Sequence, residues 1–332
     1  MTKKENQFNK YILLYVKGIA MGTVDLVPGV SGGTIALITG IYEEFIHSLK
    51  SFTFKNFKLL FSGKFKTFWE TVNGTFMLIL ALGIGTGIFS MIKVVLYVIG
   101  NHFIITWSFF FGLILISVFS ILRTVRKLTL LLFACFCIGA TIAFFITSMS
   151  AVQTPNALWF IFVSGSLAVC ALLLPGTSGS VILLLLGKYQ YILDALNSFK
   201  IDILAAFAGG AIFGMLSFSH FLSWLLRKYH DITVALLSGL LLGSLNKIYP
   251  WKVLINTANN EILPWNIDSF SNHSLALIEK KVFPHTFEQM TGVNANFYPA
   301  IISAVAAIAI YTVIDTIAKK IHITYAAERR GI

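Results

Sequence analysis

The sequence predicts an all-α polytopic membrane protein made of two inverted repeats, each a re-entrant helical hairpin followed by three transmembrane helices. Three observations predict it. The 332 residues are 57% apolar and only 12% charged, about half the charged share of an average globular chain. Mean hydropathy is +0.81, and six apolar runs lie at 75–98, 103–122, 128–149, 202–226, 232–249 and 297–318. Each is long enough to cross roughly 30 Å of hydrocarbon as a helix. A broken polar motif also occurs twice, in register. This composition excludes a disordered tail, a disulfide scaffold and an ordinary soluble enzyme.

The formal net charge of +11 does not point to nucleic acid, because the basic residues fall between apolar spans rather than along one stripe. Cys135, Cys137 and Cys170 lie inside apolar runs, with no CxxC pair and no His/Cys cluster at metal-ligand spacing. Buried, inert thiols are therefore expected, with no disulfide framework, no metal site and no cofactor.

In chain order, Lys3, Lys4 and Lys10 precede a short apolar stretch. No small-residue cleavage site follows, so the stretch reads as structure rather than as a signal peptide. From Tyr11 to Phe52 an apolar run is interrupted by Pro28-Gly29-Val30-Ser31-Gly32-Gly33. From Trp159 to Phe199 a second is interrupted by Pro175-Gly176-Thr177-Ser178-Gly179-Ser180. The flanking pieces are about 15–20 residues each, marginal for a full crossing. Proline and clustered glycine end helices. The spans at 75–98, 103–122 and 128–149 follow the first break, and the other three follow the second. The loop at about 250–296 carries Trp251, Pro264, Trp265, Pro284 and mixed charges, and reads as an interfacial cover.

The two broken regions are copies. A shift of 147 residues places Pro28, Gly29, Ser31 and Gly32 on Pro175, Gly176, Ser178 and Gly179, and Gly40, Tyr42 and Phe52 on Gly187, Tyr189 and Phe199. Further on, Gly83, Gly87 and Gly112 fall on Gly210, Gly214 and Gly239, after a longer loop in the first half near 53–74. The repeats are therefore 1–150, with its tip at 28–34, and 151–332, with its tip at 175–181. Three crossings between hairpins invert the second copy. With both termini in the cytoplasm, every arginine and most lysines fall inside, as the positive-inside rule requires. Ten full crossings would keep the same sides; the break chemistry favours hairpins.

A helix restarted at mid-membrane depth presents unpaired amides and the positive end of its dipole. Such amides must be buried in protein or given a ligand, and broken helices of this kind recur in transporter sites. The ligand they suit is an anion with several acceptor oxygens, a phosphate or a carboxylate. Gly29, Ser31, Gly32, Gly33 and Thr34 from one tip, and Gly176, Thr177, Ser178, Gly179 and Ser180 from the other, are the expected phosphate-binding residues. Tight turns satisfied by neighbouring helices are the alternative. Asp25 is an intramembrane carboxylate; it can titrate and couple protons to anion movement, or serve as a capping acid. Glu43 and Glu44 read as interfacial acids, with Glu43 the better proton site. Tyr42 and Tyr189 suit the interface or point a phenol at the site. Lys188 either snorkels or attracts an anion. Gly83/Gly87 and Gly210/Gly214 read as close helix-packing faces.

Residues 21–44, MGTVDLVPGVSGGTIALITGIYEE, and 172–189, LLLPGTSGSVILLLLGKY, resemble the paired signatures of the PopT-type polyprenyl-phosphate transporters, across almost the whole chain. The resemblance implies an undecaprenyl-phosphate translocase of the bacterial plasma membrane. Such a protein returns the lipid carrier from the outer to the inner leaflet for reuse in envelope polymers. It implies a transporter rather than an enzyme, with undecaprenyl phosphate or a similar polyprenyl phosphate and the bilayer as partners, and protons as a candidate coupling ion. Gln190-Tyr191 replaces Glu43-Glu44 in the second copy, so the family pattern does not fix a role for those acids. The physics agrees with the assignment: a polyprenyl tail is already lipid-soluble, and only its phosphate needs a substitute for water. The competing readings are an undecaprenyl-pyrophosphate phosphatase and a carrier of small phosphate-type anions. Phosphatase tips resemble PGTSRS; here Gly179 and Gly32 stand at the arginine position, which removes the planar fork that would clamp a pyrophosphate.

Overall fold

The computed structural model describes residues 3–27, 30–123, 125, 129–149, 152, 154–256, 262–264 and 277–330. The first half contains α1 (Lys3–Asp25), α2 (Gly32–Ile38), α3 (Tyr42–Lys50), α4 (Phe54–Phe61), α5 (Phe65–Thr71), α6 (Gly74–Asn101), α7 (Phe103–Leu122) and α8 (Leu130–Ser148). The second contains α9 (Leu158–Leu173), α10 (Gly179–Leu185), α11 (Tyr189–Asn197), α12 (Ile201–Lys228) and α13 (His230–Ser244). Then come β1 (Lys252–Asn256), β2 (Ile262–Pro264), β3 (Leu277–Lys281), α14 (Pro284–Thr291) and α15 (Phe297–Arg330).

Four helices, α6, α7, α8 and α12, are long and apolar enough to cross a membrane. Their outer faces expose residues such as Leu82, Phe89, Phe133, Phe145 and Phe213, which suits contact with lipid rather than water. The chain is a multi-pass helical membrane protein. Of the two remaining expected spans, α13 stops at Ser244, whereas α15 runs over Phe297–Arg330 and covers the whole expected stretch. The run expected at 232–249 ends early because residues 245–247 close three-residue turns, with the amides of Leu245, Asn246 and Lys247 donating to Leu242, Gly243 and Ser244.

The arm after each break also differs from the expected 15–20-residue piece. It is divided into a seven-residue helix and a nine-residue helix, α2 with α3 and α10 with α11. Gly40 and Gly187 make the division. Both adopt left-handed backbone, φ 72° and 62°, where a side chain is strained. The following amides, Ile41 and Lys188, fold back onto the carbonyls of Ala36 and Leu183. α10 and α11 consequently meet at 104°. Seven residues rise only about 10 Å, so neither α2 nor α10 can cross a bilayer alone.

The long helices pair in a regular order. α1 packs on α6 and α9 on α12; α8 packs on α13 and α7 on α15. Glycine sits at these crossings, as expected for Gly83/Gly87 and Gly210/Gly214. A Cβ on Gly87 would lie 2.3 Å from the Ile19 carbonyl oxygen, and one on Gly214 would lie 2.5 Å from that of Ser166. Gly112 and Gly239 touch the backbones of α15 and α8 in the same way. Tyr42 and Ile46 of α3, Trp107 and Ile114 of α7 and Leu237 and Leu241 of α13 form the central core, almost free of exposure.

The loop at about 250–296 departs from an all-helical fold. Its described part forms an antiparallel sheet in the order β2-β1-β3, with Lys252 opposite Lys281 and Leu254 opposite Glu279. Phe287 of α14 and Val253 of β1, both fully buried, give it a core of its own. The longer loop of the first half, expected near 53–74, forms α4 and α5, joined through Phe57 and Phe68 at 5.7 Å.

Candidate functional site

The first break begins where α1 ends at Asp25. Pro28 and Gly29, the latter an expected phosphate ligand, lie outside the described residues. Ser31 is extended, φ −125° and ψ 141°, and caps α2: its Oγ accepts from the Gly33 amide at 3.1 Å. The same hydroxyl donates to the Leu172 carbonyl at 3.0 Å. The Gly32 amide donates to Asp25 Oδ1 at 2.6 Å. A side chain on Gly32 would put its Cβ 2.6 Å from Asp25 Oδ2, so this close approach requires glycine. Asp25 is exposed on its other side, and Ser31 and Thr34 are fully buried.

The second break begins after α9. Gly176 is left-handed, φ 86°, and its amide donates to Thr34 Oγ1 at 2.9 Å. Thr177 Oγ1 donates back to the Ala171 carbonyl at 2.6 Å, and the hydroxyls of Ser178 and Ser180 share a hydrogen bond of 2.8 Å. Ser178 places no side chain on the start of α10. Among the described residues, the amides of Gly179 and Ser180 have no acceptor within hydrogen-bond distance. The two breaks thus touch in the interior through Thr34–Gly176 and Ser31–Leu172. Tyr42 adds a third bond, donating from its buried phenol to the Leu173 carbonyl at 2.8 Å.

The breaks are not equivalent. Asp25 caps the first, and the residue 147 positions later is Leu172, which brings only its carbonyl. Tyr42 is buried while Tyr189 is half-buried at the start of α11, so the matched phenols do different things. Glu43 lies apart from the breaks on an exposed face, 2.8 Å from His230 Nε2, and Glu44 accepts from Asn73 Nδ2 at 3.0 Å. Lys188 neither snorkels nor reaches for an anion: it is buried and donates to the Thr154 carbonyl at 2.7 Å and to Asn156 Oδ1. Sequence reasoning did not find the His230–Glu43 pair, whose members are 187 residues apart with no motif linking them. It also missed the cluster under the sheet, where Lys247 and Lys252 share the carboxylate of Glu279 at 2.5 and 3.4 Å. Burial pushes the Glu279 carboxyl up, but the two ammoniums overcome this and hold it at about 2. Burial pushes Lys252 down to about 8, against the opposing pull of Glu279. Among the described residues no group of three His, Cys, Asp or Glu could hold a metal ion.

Residues 21–263, which include both breaks, match the VCA0040-like family model, described as undecaprenyl phosphate translocase-like. The chain belongs to this family. It is 39% identical over 310 residues to a polyprenyl-phosphate transporter of Vibrio cholerae serotype O1, covering 93% of this chain and 98% of that protein. It is 33% identical over 253 residues to a polyprenyl-phosphate transporter of Staphylococcus aureus, covering 71% and 85%. No solved structure matches it. Within this family chain, the family match and the two touching breaks fall on the same residues.

Proposed function

We propose that the chain carries a polyprenyl phosphate, undecaprenyl phosphate in the first instance, from the outer to the inner leaflet of a bacterial plasma membrane. The observation that carries this reading is the meeting of two polar helix breaks inside an apolar helix assembly, through Thr34–Gly176 and Ser31–Leu172. The relatives' names supply the substrate class. A bare phosphate cannot enter hydrocarbon, whereas its tail already lives there. The unpaired amides of Gly179 and Ser180, with the hydroxyls of Ser178 and Ser180, take the phosphate first in this arrangement. Thr177 and Gly176 complete that tip. The first tip, Gly29, Ser31, Gly32, Gly33 and Thr34, exchanges its internal bonds for substrate in the opposite state. Asp25 gates it: protonation or displacement of its carboxylate frees the Gly32 amide. Tyr42 holds the tips together, and Glu43 and Tyr189 act at the interface.

The alternation follows from inverted repeats, 1–150 and 151–332, each with one re-entrant hairpin and both termini cytoplasmic. Equal lengths support this: seven, nine and 28 residues in α2, α3 and α6, and again in α10, α11 and α12. The helix pairings, related in the same order, also support it. Two near-equivalent arrangements give one state facing each leaflet.

The test is leaflet-resolved measurement of undecaprenyl phosphate after depletion of the protein. Accumulation on the outer leaflet is expected. An unchanged distribution in cells lacking a redundant carrier refutes the reading. Ser31→Ala with Ser178→Ala, or Gly32→Val, should abolish movement while the protein still inserts.

A further inference from the structure

A largely apolar groove of about 630 Å³ lies between α7, α8, the end of α13 and β3. Phe111, Phe144, Leu242 and Phe283 contribute its walls, and Lys281 lines it from the sheet. Lysine is an unusual component of an apolar cleft, and its surroundings make it more so. Directly across the ladder from Lys281 stands Lys252, and Lys252 and Lys247 already share Glu279. Among the described residues, Lys281 has no carboxylate within ion-pair distance. The third lysine of this group, Lys281, faces the groove.

A groove with aromatic and aliphatic walls and the Lys281 ammonium at one edge complements an amphiphile with one anionic head and a hydrocarbon tail. It is also next to the second break. Leu240, Leu241 and Ser244 of α13 touch Gly176, and the neighbouring Leu242 and Gly243 line the groove, so one helix separates the two. In the orientation of the preceding section the sheet is extracytoplasmic.

We propose that this groove is the outer-leaflet loading site, where Lys281 holds the lipid phosphate and the apolar walls hold the first isoprene units before the phosphate passes to Ser178–Ser180. The proposal rests on the transport reading for its direction, but binding itself does not. Farnesyl phosphate is a soluble probe of the same chemistry. Titrated onto the full chain in zwitterionic nanodiscs, it should bind wild type and Lys281→Arg alike. Lys281→Gln should weaken binding about fivefold, equivalent to about 1 kcal/mol, and Lys280→Gln, exposed on the same strand, should not. Thr141→Trp, which fills the groove from an exposed position of α8, should abolish it. Inorganic phosphate at the same concentration should not compete. With undecaprenyl phosphate in the outer leaflet, Lys281→Gln should raise the half-saturating load about fivefold at unchanged maximal rate.

Equal affinity in Lys281→Gln and wild type overturns the proposal, and so does full competition by inorganic phosphate, which would mark a soluble-anion site. If wild type moves no lipid yet binds farnesyl phosphate through Lys281, the transport reading fails and the groove stands. If wild type transports and Lys281→Gln leaves the load unchanged, the groove alone fails.

Discussion

Replacing Thr34 by valine tests the contact between the two breaks directly. Valine keeps the shape of threonine, and Thr34 is fully buried, so the exchange opens almost no cavity. What it removes is Oγ1, the acceptor 2.9 Å from the Gly176 amide. Gly176 is itself buried, so its N–H is left without water or partner. A buried unpaired amide costs about 1–3 kcal/mol. At about 2 kcal/mol, the folded-to-unfolded ratio falls roughly 30-fold. A chain of 332 residues belongs at or below the small end of the usual scale, about 2 °C per kcal/mol, so the melting temperature should drop by about 4 °C. The assay is thermal melting of the purified protein in one detergent, with Thr34→Ser alongside. Serine keeps the acceptor and should recover most of the loss. A Thr34→Val protein that melts with wild type would mean that Thr34 and Gly176 do not bond in the resting state, and the central contact of the site geometry described above would fall.

Gly87→Ala should destabilise severely and reduce insertion, because the new Cβ meets the Ile19 carbonyl oxygen at 2.3 Å; Gly85→Ala, one turn face away with nothing within 4 Å, should be neutral or slightly stabilising by melting. For the sheet cluster, the Glu279 carboxyl lies at about 2 in the folded chain and at 4.5 otherwise. The unfolded state therefore binds more protons in between, so about 3 kcal/mol of stability is present above pH 4.5 and is lost as the pH falls toward 2. Proteolysis of the sheet segment across this range should show the loss. Glu279→Gln should flatten the pH dependence and be less stable by about 3 kcal/mol at neutral pH, since it takes a carboxylate away from the fully buried Lys252 and from Lys247; a variant as protease-resistant as wild type would contradict this.

Those features of the fold that depend on local chemistry were legible in the sequence. Pro175 and the left-handed Gly176 follow the end of α9 through their own backbone chemistry, and runs such as 75–98 and 202–226 need only apolar composition to become α6 and α12. Gly83/Gly87 and Gly210/Gly214 were readable as crossings because their spacing puts them on one helix face. The features that depend on distant partners were not. Thr34 and Gly176 are 142 positions apart, and no spacing rule joins them. Asp25 is only seven residues from Gly32, but whether an acid at a helix end caps the next helix or faces an empty cavity depends on the turn between. Lys188 looked like an interfacial lysine until the chain at 154–156 covered it. The sheet at 252–281 escaped because its strands are three to five residues long and show no regular polar–apolar alternation, as a loop does not either.

The exchange of partners between halves has a consequence for how the protein is made. α7 belongs with α15, and the bond from Ser303 Oγ to the Ile105 carbonyl spans 198 positions. At 5–20 residues per second, the ribosome needs roughly 10–40 s to travel that distance. During this interval α7 already sits in the bilayer with the notch at Gly112 facing lipid, and α8 is waiting in the same way for α13. A transcript truncated before Phe297 would leave that notch open for good, since only α15 brings the Ala304 backbone against Gly112.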